Sequence, residues 1–464
     1  MQPPSSRLIS GVSARRVFLR STVLALAGAW LSNRRGPAAL LAATSRGDKG
    51  PAAWRRRPRP DLLDRNSPKG LAVFQLTTET HVPGSHLYME AQVFTPDSQK
   101  LLLHRSATAH GSSKDDPQHQ YLLCDLENEG ALLPLTHETG ATAPSVTPDG
   151  KHLYYFVDET QVGGGRLTLK RVNLDGRQRQ TVMVVDAPLP GTRCRPSHIY
   201  PLSTIASDGK RLALSCFLGD GTRDDPPWGL TVFDLDKAAV SLLLQGPTWC
   251  NVHPQYCRSV DPTERRAILV QENHGNVTDA RGIVKQLVGG QGADIHVIQD
   301  DGANFRNLPW GRDGNEFCQG HQCWRGRTTW ALTSTSTRRP PEAQLLEARP
   351  VPHLGHLGLK SPGGTRNDLS REFPNPQFAH FATDLAGRRL ITDAAPFNQG
   401  GRIFLAELGT PGQDPLRNWK FLLNPRTSGG KDSHIHPFLS PDGALGFFNS
   451  DESGILQAYS IHGL

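Results

Sequence analysis

A turn of Ser/Thr-Pro-Asp-Gly type, set between two apolar runs, returns along this chain every 51 to 68 residues, and no other feature limits the fold so strongly. The clearest copies centre on Thr95-Pro96-Asp97, Thr147-Pro148-Asp149-Gly150, Ser207-Asp208-Gly209 and Ser440-Pro441-Asp442-Gly443. Weaker ones are Tyr256 to Ser259, Trp324 to Arg327 and Asp384 to Gly387. Pro presets one backbone angle, Asp bonds to its own turn and Gly accepts the left-handed region, so each copy predicts a tight reversal between strands. The residues in the Asp slot are Asp97, Asp149, Asp208, Ser259, Arg327, Ala386 and Asp442, at spacings of 52, 59, 51, 68, 59 and 56 residues. Between them fall second reversals such as Leu174-Asp175-Gly176 and Asp300-Asp301-Gly302. Two hairpins per period make a four-stranded sheet, and seven periods predict an all-β, seven-bladed β-propeller across residues 70–464. Gly70 to Leu76 supplies a strand to close the last blade. A pair of β-sandwiches would leave the single period unexplained.

The first 69 residues differ in kind. They hold 14 Arg+Lys and 3 Asp+Glu, a net of +11, whereas the other 395 hold 37 and 41, a net of −4. The basic charge therefore belongs to the leader, and the folded part gives no reason to expect a nucleic-acid partner. Ser13-Ala14-Arg15-Arg16-Val17-Phe18-Leu19 runs into an apolar stretch from Ser21 to Leu31, which resembles a twin-arginine export signal. That stretch is too short for a stable membrane anchor, which needs ~20 residues. Residues 1–43 are read as the signal and 44–69 as an Arg/Pro-rich linker, with the protein expected in the periplasm or secreted. Seven cysteines spread over a large domain do not suggest a disulfide scaffold, although Cys250 with Cys257 or Cys318 with Cys323 would be close enough in sequence to bridge.

Counting back six residues from the Asp slot gives Ala91, Ala143 and Leu202 in the first three periods, then His253, His321, His380 and His436 in the last four. Equivalent positions in successive blades are related by the propeller's pseudo-rotation. Four imidazoles on the innermost strands would thus cluster at one mouth of the central channel. Neutral imidazole ligates Zn, Mn, Fe or Ni, and it also accepts protons near neutral pH. A site for metal binding or acid–base work follows, with a choice of metal left open.

Three stretches carry a specific likeness: His253-Pro254-Gln255-Tyr256 with Asp261-Pro262, Gly320-His321-Gln322-Cys323-Trp324, and Asn375-Pro376-Gln377-Phe378-Ala379-His380. Together they resemble the oligogalacturonate lyases, which are seven-bladed propellers, over roughly residues 80–460. The resemblance implies β-elimination on a uronate oligosaccharide, with His253 as the Brønsted base and a divalent metal, typically Mn2+ with Zn2+ as the alternative, on His321, Gln377 and His380. The family's Gln-x-x-His-x-His cluster ends here in Ala382 instead of histidine. His436 from the next blade, or water, would have to complete the coordination.

Eliminative cleavage needs the uronate carboxylate neutralised, by a cation or by a bidentate arginine. Arg223, on the Gly/Pro-rich loop Gly219 to Trp228, is the candidate arginine. Tyr155 and Arg171 are read as strand residues, with Tyr155 the candidate to protonate a leaving oxygen. Glu272-Asn273-His274-Gly275 is read as a polar loop near the site. Readings from other classes are an ulvan-type or other uronate lyase, a metal-dependent hydrolase, and a non-catalytic propeller that binds a partner through one face.

Overall fold

The computed structural model describes residues 55–109, 114–287, 292–309, 316–337, 343–352, 366–373 and 378–464. Among the described residues seven sheets of four or five strands follow one another along the chain, with a separate two-stranded ribbon of Val277–Thr278 and Val284–Gln286, and first strands of neighbouring sheets lie against one another. Blade one is Ser85–His86, Lys100–His104, Tyr121–Asp125 and Ala131–Pro134, and blade two is Ala141–Val146, His152–Gln161, Gly164–Asn173 and Gln180–Val185. Blade three is His198–Ile205, Arg211–Phe217, Trp228–Asp234 and Ala239–Gly246. Blade four is built on Gln255–Tyr256, Ala267–Asn273, Ala293–Gln299 and Arg306–Asn307. Blade five is Glu316–Trp324, Ala331–Thr337, Ala343–Ala348 and Arg366–Asp368; blade six is Phe378–Thr383, Arg389–Ala394, Arg402–Glu407 and Arg417–Leu423. Blade seven takes Phe438–Leu439, Gly446–Ser450 and Gln457–His462, and its outer strand is Ala72–Gln75 from the other end of the chain. The expected propeller, and the closing strand, are what the chain forms. No helix among the described residues is long and apolar enough to cross a membrane.

The recurrent turn works as its residues dictate. In blade two, Thr147 Oγ1 donates to Asp149 Oδ1 at 2.6 Å, Asp149 Oδ1 accepts the Lys151 N–H at 3.1 Å, and Thr147 Oγ1 accepts the His152 N–H at 3.0 Å. Thr95 with Asp97, and Ser440 with Asp442, repeat the pattern. The side chains thus satisfy the backbone groups that the reversal takes out of the ladder. Apolar side chains fill the spaces between blades, as where Phe156 meets Phe233 edge-on at 5.1 Å.

Closure is antiparallel, with Ala72 opposite His462 and Gln75 opposite Tyr459. The stretch expected as a linker, residues 44–69, belongs to the fold from Arg57 on. Arg57–Pro58 pairs with the closing strand, Leu62 is 1% exposed in the last blade's core, and Arg59 pairs with Glu452. Charge and proline content hid this, because one buried leucine and one ion pair suffice to dock so short a segment. Residues 1–43, with the expected signal, lie outside the described residues. All seven cysteines are free, so neither proposed bridge exists, and burial pushes Cys124, Cys216 and Cys250 up to about 12.

Candidate metal and acid–base site

Each inner strand breaks register with its neighbour at the slot six residues before the turn. The breaks lie between Thr142 and Ser145, Ile199 and Ser203, Cys318 and Gln322, and Phe378 and Phe381. In blade four, Val252 O accepts from Gln271 N while Gln255 faces Leu269; in blade seven, Ile435 O accepts from Asn449 N while Phe438 faces Phe447. The inner strand gains one residue over its partner in blades two, four, six and seven, and two in blades three and five. Blade one adds a longer excursion between His86 and the Phe94–Leu101 bridge. Every slot residue therefore sits in a bulge, and a bulge re-aims its side chain. Ala143, His253 and His436 take positive φ of 47°, 44° and 43° there. In blade five Gly320 takes the positive φ, 79°, with Gln271 so close that a Cβ would press on its amide.

The four histidines converge as expected. His321 and His380 have ring centroids 4.6 Å apart, and His380 and His436 are 4.5 Å apart. Tyr88 continues the arc, 4.6 Å from His436 and 4.9 Å from His253, and Tyr200 lies 5.9 Å beyond. All four histidines are buried, and the remaining slots carry Ala91, Ala143 and Leu202, so one side of the ring carries imidazoles and the other apolar side chains.

Two buried carboxylates orient the imidazoles. Asp393 accepts His380 Nδ1–H at 2.7 Å through Oδ2 and the His380 backbone N–H at 2.8 Å through Oδ1. Nε2 of His380 then presents a lone pair, and it is buried without a hydrogen bond. Glu90 Oε2 accepts His253 Nδ1–H at 3.0 Å, which leaves Nε2 of His253 as the proton acceptor. Burial raises the Glu90 carboxyl despite its bond to His253. Burial also drives the phenols of Tyr88 and Tyr200 up, so both keep their protons.

The group best placed to hold an ion differs from the one the resemblance implies. Ligand atoms of His380, His434 and His436 lie within 4.8 Å of one another. Three imidazoles are a donor set that suits a divalent ion such as zinc or manganese. The orphaned Nε2 of His380 fits this donor set, and burial beside His380 lowers His434 to about 3, which keeps it neutral. His434 was missed because it lies two residues ahead of the slot; the His434-Ile435-His436 pair was its signal. His321 stands against His380 outside this group, and Gln377 lies outside the described residues. Ala382, where the resemblance implies a histidine, packs in an apolar cluster with Leu202 and Ala91 among its members.

Arg223 is exposed on its loop, and the structure does not bring it to the histidines. Tyr155 is buried away from them, bonded to Glu138 and Arg179, and Arg171 bonds to Gln180 on an outer strand, as strand residues do. Glu90 was missed because it precedes its slot by one residue; an acid between Met89 and Ala91 in a channel strand was the available sign.

A seven-bladed propeller with an arc of buried histidines at one channel mouth is thus the class of protein these residues define. No family model and no curated protein matches the sequence. Among solved structures the chain is similar to an oligogalacturonate lyase in complex with manganese, with a TM-score of 0.62 at 19% identity over 88% of this chain and 96% of that one. It is also similar to an oligogalacturonate lyase from Vibrio parahaemolyticus, with a TM-score of 0.60 at 17% identity over 88% and 97% of the two chains. At these identities the likeness establishes the propeller fold.

Proposed function

We propose that this chain is an exported, divalent-metal-dependent lyase that cleaves uronate oligosaccharides by β-elimination. The observation that carries the reading is the pairing of a carboxylate-oriented imidazole, His253 on Glu90, with an ion-binding trio, His380, His434 and His436, at one channel mouth. The manganese-bound oligogalacturonate lyase of the same fold supports it, and the Arg15-Arg16 leader supports export to the periplasm or beyond.

The chemistry follows from the residues. His380, His434 and His436 would hold a divalent cation, which would supply Lewis-acid neutralisation of the uronate carboxylate and so acidify the C5 proton. His253 Nε2 accepts that proton, and Glu90 holds the opposite ring nitrogen and stabilises the imidazolium. The C5–H electron pair becomes the C4–C5 double bond as the C4–O bond breaks. The leaving oxygen takes a proton from a phenol, Tyr88 or Tyr200, both of which flank His253. Arg223, exposed on its loop, has no part in this scheme.

Oligogalacturonate and ulvan fragments incubated with the metal-loaded protein should yield the ultraviolet absorbance of an unsaturated uronate. His253→Ala should lower turnover by about 10²- to 10⁴-fold, the usual worth of a general base, with metal content unchanged. Undiminished turnover in that variant would overturn the assignment. New reducing ends without the chromophore would mean hydrolysis instead.

A further inference from the structure

A second convergence of ligand-type side chains lies in blade four, between its second and third strands. Glu272 and Asp294 stand directly opposite each other in register, and His274 and His296 flank them. His274 Nε2 is 2.9 Å from Asp294 Oδ2 and 3.9 Å from Glu272 Oε2, and His296 Nε2 is 3.3 Å from Glu272 Oε2. Ligand atoms of Glu272, His274 and Asp294 fall within 4.8 Å of one another. None of the four side chains is more than 13% exposed.

Outer partners orient this group as they do in metal centres. His296 Nδ1–H donates to Asn307 Oδ1 at 2.7 Å, which turns Nε2 toward Glu272. Thr248 Oγ1 donates to Glu272 Oε1 at 2.6 Å, which turns Oε2 toward the two imidazoles. Two carboxylates directly opposite on adjacent strands repel, and a cation between them removes that cost. Two imidazoles and two carboxylates are a donor set that suits zinc in four-coordinate form.

We propose that Glu272, His274, Asp294 and His296 form a second, structural divalent-cation site of zinc type. Its role follows from what the cluster ties together. Thr248 is bonded to Glu272, Asn273 N donates to Thr248 O at 2.9 Å, and Asn273 Nδ2 donates to Cys250 O at 2.5 Å. The ion thereby fixes the segment from Thr248 to His253, which delivers the base to the channel. The site is independent of His380, His434 and His436.

The test uses full-length protein carrying His380→Ala and His436→Ala, which disables the channel site. Stripped with chelator and dialysed against Zn2+, this variant should retain about one zinc per chain by elemental analysis and melt higher with zinc than without. Adding Glu272→Gln and His296→Ala should abolish both the bound zinc and the zinc-dependent rise. Should that combination fail to fold, Asp294→Asn, nearly isosteric, makes the same comparison and should weaken zinc binding at least tenfold. A channel-disabled variant without stoichiometric zinc, or one whose zinc is indifferent to the blade-four changes, would overturn the proposal and leave the cluster a hydrogen-bonded His–carboxylate network. Failure of the channel site would show separately, as wild-type protein holding only the zinc that Glu272 and His296 control.

Discussion

Asp393→Asn tests the proposed ion site through a residue that holds the His380 imidazole and offers no ligand atom of its own to the ion. Asp393 is fully buried and accepts three bonds at once, from His380 Nδ1–H at 2.7 Å through Oδ2 and from the backbone N–H groups of His380 at 2.8 Å and Ala379 at 3.2 Å through Oδ1. An asparagine has one acceptor oxygen and one donor nitrogen in the same place. If its oxygen keeps the backbone N–H groups, its NH2 faces Nδ1, and the ring must move its proton to Nε2, the nitrogen that would ligate the ion. Turning the amide over would set its NH2 against both backbone N–H groups and lose two bonds, so the first orientation holds. The charge-assisted bond to Nδ1 then disappears, worth about 1.5–3 kcal/mol. At about 1.4 kcal/mol per tenfold, affinity for Zn2+ or Mn2+ at the channel site should fall about 10- to 150-fold. The assay is calorimetric titration of metal into stripped protein carrying Glu272→Gln and His296→Ala, so that only the channel site reports. Thr392→Val serves as control, because Thr392 Oγ1 bonds the His380 and Asp393 backbone carbonyls and the imidazole keeps its carboxylate partner. A folded Asp393→Asn protein whose affinity stays within ~3-fold of its parent would refute the reasoning, since that is under 1 kcal/mol.

Two further outcomes follow from the fold. Burial lowers His86 to about 3 and His198 and His462 to about 4, all below the unfolded value of ~6.5. The unfolded chain therefore takes up protons first, so this stability is complete above pH ~6.5 and is lost as pH falls toward the folded values. Each group contributes at most about 1.4 kcal/mol per pH unit, and the urea midpoint by circular dichroism should drop between pH 7 and pH 5; equal midpoints would contradict it. Leu62→Ala should cost about 2–5 kcal/mol in the same assay, because Leu62 is 1% exposed in the last blade's core; a loss under ~0.5 kcal/mol would return that segment to the status of linker.

The propeller was legible because its signal is local and repeated. Thr147 and Asp149 bond within their own turn, so the motif survives in the sequence wherever the turn does. The degenerate copies follow the same logic. At Arg327 and Ala386 the Asp is gone, yet Gly326 and Gly387 keep positive φ and the reversal persists. Docking of Arg57 to Leu62 had no comparable signature. It rests on contacts with Gln75, Glu452 and Tyr459, of which the last two are almost 400 residues away, and no local pattern encodes them.

The site was half legible for a related reason. The six-residue offset located His253, His321, His380 and His436 because the bulge occupies the same place in every inner strand. What the offset could not see is that a bulge widens the set of residues that reach the channel. Glu90 enters from the long excursion of blade one, and His434 enters two residues before the bulge of blade seven. The pseudo-rotation also brings neighbouring blades within reach of each other, since the bulged His380 of blade six and His436 of blade seven have ring centroids 4.5 Å apart. A side chain from one blade can therefore stand beside the slot residue of the next, as His434 does with His380 at 5.2 Å. A count along any one strand misses such a cluster, because its members belong to two inner strands whose sequences are more than 50 residues apart.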